Sequence, residues 1–363
     1  MADKATPNFQ EATKNLFRLL DENGGRDFLH SRSPTQNRRN QKNLEQLRSW
    51  LSDDRGKRRK GYMNAEAFFK AYLFYYLPLH LTEVFWINEQ FQKRMENFST
   101  RTWVDIGCGP GTASLSMALS IKYAKKKDPK EVVLMDQSKR ALAFAKEALQ
   151  SICPNTKITT VKVDLRNVVE ARREIPKLKQ GWDAVLVSHV LNEFGSGPRS
   201  RSVKEDMLEF FSRSLAGDRT KFYVIEPPLK SQSIDLMQIG DKLLEEGASI
   251  IAPCPQSREK CPMLKDRKGW CYAQPDRNDF RALGLGQQDK AIEKGLRIQL
   301  TNPGFSYLVY LPSGMMKLES PHRISVANDQ AQTGLFCDGG KIVKRPRKEY
   351  FRGQWVDAKK AET

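Results

Sequence analysis

Asp105, Gly107, Gly109 and Gly111 alternate with Ile106, Cys108 and Pro110 at the end of an apolar run. Such a stretch suits a backbone that must come close to a ligand. Glycine tolerates positive φ in a tight turn, and it has no side chain to hold ligand atoms away. A helix starting just beyond adds unpaired N–H groups. The spacing also excludes other cofactors. A dinucleotide fingerprint, Gly-x-Gly-x-x-Gly, needs glycine at position 112, where Thr112 stands. A phosphate loop needs Gly-Lys-Ser/Thr, which does not occur here. Asp136 and Asp164 close later apolar runs. Asp136 comes roughly 25 residues after the loop, near the spacing at which an acid takes the ribose hydroxyls of a nucleoside.

Cys254, Cys261, Cys271 and Cys337 form a second chemically able set. Pro255 and Pro262 directly follow the first two, and Trp270 precedes the third. The segment around them is rich in breakers and charges and cannot build a core alone, so a bound metal would explain its order. Their separations differ from zinc-finger ligand pairs two to four residues apart. Iron-sulfur clusters take four thiolates at irregular spacing, often with Cys-Pro. Spacing alone leaves zinc and iron-sulfur both open. Cys108 and Cys153 stand apart as ordinary buried thiols. His189 is a candidate base, but a lone histidine at a strand end is more often structural. No residue is assigned as catalytic.

The elements that must position these groups follow a doubly wound pattern. Strands are predicted at Trp103–Ile106, Val132–Asp136, Ile158–Val163, Ala184–Val187 and Phe222–Ile225, ending at or next to Gly107, Asp136, Asp164, Ser188 and Glu226. Polar residues repeatedly closing apolar runs describe a parallel sheet whose ligand lies at its carboxyl edge. A helix is expected over Ala113–Ala124. Ser249–Ala252 and Phe305–Leu311 read as a strand pair separated by the cysteine-bearing insertion. Upstream, Ser31–Asn40 reads as loop and Asn43–Leu51 as the one amphipathic helix before residue 60. Tyr62–Phe98 reads as two or three helices, with an aromatic stripe assigned to packing. Gly195–Arg201 reads as a basic loop, Ile234–Glu246 as a helix, and Gly334–Gly340 as a turn in a small β element.

The 363 residues carry 61 Lys and Arg against 43 Asp and Glu, a net charge of +18. The charge is clustered between Arg32 and Lys60 and again between Lys341 and Lys360. That distribution points to a polyanionic partner, with nucleic acid the default. Arg55-Gly-Lys-Arg-Arg-Lys60 is the densest run. The most apolar stretch, Ala67–Ile87, is interrupted by Lys70, Pro78, His80 and Glu83, so no membrane span is expected. Early acids and unpaired cysteines predict a cytoplasmic protein.

The loop from Asp105 to Gly111 resembles the first motif of S-adenosylmethionine-dependent methyltransferases. Further residues extend the resemblance from about Tyr62 to Asp357: Val190-Leu-Asn-Glu193, Glu226-Pro227, Ala252-Pro-Cys-Pro255, Cys261-Pro262, Trp270-Cys271, Phe336-Cys337-Asp338-Gly339 and Trp355. Together they are similar to the methyltransferase-like proteins of small-ribosomal-subunit assembly. The resemblance implies an α/β fold with a Rossmann-like class I methyltransferase sheet. It divides the chain into a basic helical region 1–98, a methyltransferase-like domain 99–313 with a metal-binding insertion 252–290, and a basic C-terminal β extension 314–363. It implies S-adenosylmethionine at Asp105, Gly107, Gly109, Gly111, Asp136, Asp164 and Ser188. A four-iron four-sulfur cluster is implied on Cys254, Cys261, Cys271 and Cys337, with zinc the alternative. Small-subunit ribosomal RNA and proteins are the implied partners, with no membrane and no DNA. Tyr272-Ala-Gln274-Pro275 departs from the family's phenylalanine and Gln-Arg pair, which implies that a basic contact is either lost or moved to Arg277 or Arg281. Two readings stay open: an RNA-binding assembly protein that uses the fold as structure, and an active RNA or protein methyltransferase. A radical enzyme is disfavoured, since Cys-x-x-x-Cys-x-x-Cys is missing.

Overall fold

A computed structural model describes residues 7–24, 28–29, 33–52, 61–92, 100–195, 197–253, 260–265, 270–275, 283, 304–312, 322–326, 333–338, 341–346 and 355–357. Seven strands make one sheet: β1 Thr102–Ile106, β2 Glu131–Asp136, β3 Lys157–Lys162, β4 Ala184–Ser188, β5 Lys221–Glu226, β6 Ser249–Ala252 and β7 Ser306–Leu311. Their order is β3-β2-β1-β4-β5-β7-β6. The β1–β2, β2–β3 and β4–β5 pairs are parallel, while β7 runs antiparallel to both β5 and β6. The molecule is therefore α/β with a Rossmann-like sheet, helices following most strands. Near-continuous apolar runs build its central strands: Val104, Val132, Leu134, Val185, Leu186, Phe222 and Val224 are all fully buried.

The chain divides into two compact units. One comprises Met1–Ala171 and Arg277–Pro303, the other Arg172–Asp276 and Gly304–Thr363. The first contains α1 Pro7–Glu22, α2 Pro34–Ser52 and α3 Glu66–Gln92, then β1, α4 Thr112–Tyr123, β2, α5 Lys139–Ile152, β3 and the start of α6 Val168–Glu174. Small residues on α4 let α3 approach closely. Ser116 accepts from the Phe85 N–H and donates to the Leu81 carbonyl, and Asn88 donates to Ser120 Oγ. Phe9 and Phe85 meet Tyr123 edge-on or tilted, tying α1 and α3 to the end of α4.

The second unit holds β4, α7 Pro198–Leu215, β5, α8 Lys230–Glu245, β6 and β7. It also holds β8 His322–Val326, β9 Thr333–Asp338, β10 Lys341–Pro346 and β11 Trp355–Asp357, an antiparallel sheet in the order β10-β9-β8-β11. Among the described residues no helix is long and apolar enough to cross a membrane.

Several local expectations are corrected. Two helices precede residue 60, and α2 begins at Pro34, inside the stretch read as loop. Proline is well placed in a first helical turn, where its missing N–H costs nothing. The same reason starts α7 at Pro198, within the expected basic loop. Glu66–Gln92 is one helix that passes through Pro78, not two or three. Its buried Leu73, Phe74, Leu77, Leu81, Val84 and Phe85 each gain roughly 1.5–3 kcal/mol from burial, which together outweigh the ~3 kcal/mol that an interior proline costs. Cys337 sits on strand β9, paired with Ile342 and Ile324, rather than in a turn.

Candidate functional site

The glycine loop links β1 to α4. Gly107, Gly109 and Gly111 all have positive φ, at 69°, 53° and 84°. At Gly111 two constraints coincide, since a Cβ there would lie 2.8 Å from Cβ of Ala145 on α5. At Gly109 the added atom would meet only Met63 Cε, at 3.9 Å. Gly111 is thus fixed by packing, and Gly109 leaves open space above the backbone.

Two carboxylates face this loop. Asp136 ends β2 and accepts from the Gly109 N–H through Oδ2 at 3.0 Å and from the Ser138 N–H through Oδ1 at 2.7 Å. Ser138 caps α5 by accepting from the Ala141 N–H. Asp105, only 1% exposed, uses Oδ2 to accept from the N–H and the hydroxyl of Ser114, at 3.1 and 2.6 Å. Trp103 Nε1 donates to the same hydroxyl. Among the described residues Asp105 Oδ1 is buried with no hydrogen-bond partner. Burial, reinforced by the nearby Asp136 charge and only partly offset by Ser114, raises the Asp105 pKa to about 7. A buried carboxylate with an open acceptor favours a cationic or N–H-bearing ligand.

Asp164 lies two residues past β3 and is engaged by Arg166, whose Nε and backbone N–H both reach Oδ1 at 3.1 Å. Arg166 also donates to Gln137, just after Asp136. The sequence reading missed Arg166, Ser138 and the Met63–Asn64 turn. Only Ser138 carried a signal, as a serine standing before a helical run. Cys108 and Cys153 are buried, and burial raises both thiols, Cys153 to about 12.

In the second unit Ser188 ends β4, and His189 follows with φ of 56°, a left-handed conformation that is costly for a residue with a Cβ. Its N–H donates to the Ile225 carbonyl. Glu226, 2% exposed at the end of β5, accepts from the N–H groups of Leu191 and Asn192 at 2.9 and 3.0 Å. One buried carboxylate thus anchors the short 3₁₀ turn Leu191–Phe194.

Three of the four candidate metal cysteines come together in this unit. Cys261 and Cys337 are buried with Met237 and Met263, and Cys271, Trp270, Ile234 and Leu264 pack against them. Cys254 lies outside the described residues, as do Arg55–Lys60, Arg277 and Arg281. Both carboxylate oxygens of Asp241 on α8 accept from the Cys261 N–H. Trp270 Nε1 donates to the Pro228 carbonyl, Ser306 Oγ donates to the Cys271 carbonyl, and Ala273 bridges Phe305. Soft thiols gathered in an apolar, sulfur-rich setting fit a thiolate-bound metal, either zinc or an iron-sulfur cluster.

A family model described as mitochondrial small ribosomal subunit Rsm22 matches residues 66–295, more than half of the chain. No curated protein matches the sequence. Among solved structures, a precorrin-6y C5,15-methyltransferase from Geobacter metallireducens is 10% identical, with 62% of this chain and 87% of that one covered and a TM-score of 0.33. The plantazolicin methyltransferase in complex with SAH is 14% identical over 75% and 96%, with a TM-score of 0.33. A precorrin 8w decarboxylase from Methanobacterium thermoautotrophicum is 15% identical over 62% and 88%, with a TM-score of 0.35.

Proposed function

The chain belongs to the Rsm22 family of the small ribosomal subunit, and from that premise we propose that it binds S-adenosylmethionine and a four-iron four-sulfur cluster and acts in subunit assembly by binding ribosomal RNA. The observation that carries the cofactor reading is the glycine loop itself. Gly109 leaves room above its backbone, the Asp136 carboxylate stands beside it, and one buried Asp105 oxygen lacks a donor. When bound, the cofactor supplies an electrophilic methyl group and a sulfonium charge. Asp136 keeps lone pairs for ribose hydroxyls while it holds the loop, and its charge favours a cation. Asp164 and Ser188 complete the proposed set, toward the adenine and at the end of β4.

The cluster reading rests on the convergence of Cys261, Cys271 and Cys337, with Cys254 as fourth ligand. Zinc is the alternative occupant. RNA binding rests on the net charge of +18 and on exposed Arg38, Arg39 and Lys42 on α2. The reducing cytoplasm suits thiolate ligands, and localisation there belongs to the same proposal. Methyl transfer to RNA or protein is a second reading. It is favoured by His189, held in its left-handed conformation beside the turn that Glu226 anchors.

The test is affinity purification from the native cells with mapping of crosslinked RNA. Enrichment of small-subunit RNA is expected, and its absence overturns the assembly role. A discrete methyl mark that disappears on deletion of the gene would establish the second reading.

A further inference from the structure

The N-terminal region reaches the glycine loop through one short turn. Gly61 has φ of 65° and leads into the 3₁₀ turn Tyr62–Asn64. Met63 is buried, and its Cε is the atom nearest the open face of Gly109. Ser138 donates from its hydroxyl to Asn64 Oδ1 at 2.8 Å. Three hydrogen bonds form a chain, from Ser138 to Asn64, from the Ser138 N–H to Asp136 and from the Gly109 N–H to Asp136, and Met63 stands next to the space that a Cβ on Gly109 would take.

Farther along the same region, Tyr72 on α3 is half-buried and packs against Tyr76 and His80. The aromatic stripe of α3 therefore divides in two. Phe69, Phe74, Phe85 and Trp86 are core, whereas Tyr72, Tyr75 and Tyr76 keep part of their surface open. On the strand that leads into the loop, the partnerless Asp105 oxygen awaits a donor.

We propose that Met63 is a binding residue for the adenosyl cofactor and Asn64 a positioning residue, together forming a wall of its pocket that the N-terminal region supplies. The inference rests on the reading that the glycine loop takes S-adenosylmethionine. Met63 offers a polarizable thioether against the ligand where Gly109 leaves space. Asn64 acts through Ser138, holding the Asp136 carboxylate in the orientation that ribose hydroxyls require. Cofactor occupancy would thereby fix the turn at which the N-terminal region meets the sheet.

Calorimetric titration of the full-length protein with S-adenosylmethionine tests this, using Met63→Ala, Asn64→Ala and Gly109→Arg, with Met63→Leu as the volume-conserving control. Each truncation should weaken binding by about tenfold, equivalent to one lost hydrogen bond or packed group. Met63→Leu should bind within a few-fold of the parent, about the cost of a volume-conserving swap. Hydrogen exchange of the parent protein should show the amides of residues 61–64 gaining protection when the ligand is added, a readout independent of any variant's folding. If the parent binds and Gly109→Arg abolishes binding, yet the N-terminal variants bind normally and exchange at 61–64 is unchanged, this inference alone is overturned. If the folded parent does not bind at millimolar ligand, the cofactor reading falls and this wall falls with it.

Discussion

Asp105 and Asp136 stand close together yet do different work, because their surroundings differ. Asp136 is held by two backbone N–H groups, whereas Asp105 is desolvated and has one oxygen without a partner. An acid whose folded pKa is raised from 3.8 to about 7 keeps its proton in the folded state while the unfolded chain has released it. Stability therefore falls as pH rises from about 4 to about 7, by an amount of the order of 4 kcal/mol. Asp105→Asn should flatten that part of the pH–stability curve and raise the melting temperature at pH 8, while weakening S-adenosylmethionine. Thermal melts at a series of pH values check it, and an unchanged curve would remove Asp105 as the titrating group. The glycines and both acids were legible in sequence because turn chemistry and strand ends are local. Arg166 and Asn64 were not, since each acts through a contact that only folding creates.

At the scale of elements, strand ends are tied together by buried side chains. Glu226 uses both oxygens to hold the turn after β4, and Trp270 from the cysteine segment bonds Pro228 just beyond β5. Glu226→Gln keeps the shape but can satisfy only one of the two N–H groups. It should cost about 1–3 kcal/mol in chemical denaturation and increase hydrogen exchange at Leu191 and Asn192. Exchange that stays at the parent level would mean the turn is held by other contacts. Helix beginnings at Pro34 and Pro198 were misread because proline breaks helices inside but suits their first turn. The continuity of α3 through Pro78 was hidden for another reason, since only packing against neighbouring helices compensates the lost hydrogen bond.

For the whole molecule, the cysteines and the charge make the sharpest claims. Anaerobic purification should yield a brown protein with about four irons per chain, and Cys337→Ser should diminish both colour and iron. A colourless protein with one zinc would replace the cluster while sparing the ligand set, whereas unchanged metal in Cys337→Ser would remove the β9 ligand. RNA affinity should fall steeply with salt, with a log–log slope of roughly 4 to 6 for about six phosphate contacts. Neutralising Arg58, Arg59 and Lys60 together should lower that slope, and a slope near zero would exclude binding through the basic clusters.

By itself the sequence determined the order of the strands along the chain, the glycine loop and the acids at strand ends, and it singled out the four cysteines proposed as metal ligands. Each is written in local periodicity, turn chemistry or the spacing of one residue type. Only the tertiary structure decided that β7 inserts antiparallel between β5 and β6, and that Cys337 on β9 meets Cys261 near α8. It alone set Met63 and Asn64 against the glycine loop. Those outcomes depend on which distant surfaces bury one another, and burial is a property of the assembled chain rather than of any stretch of it.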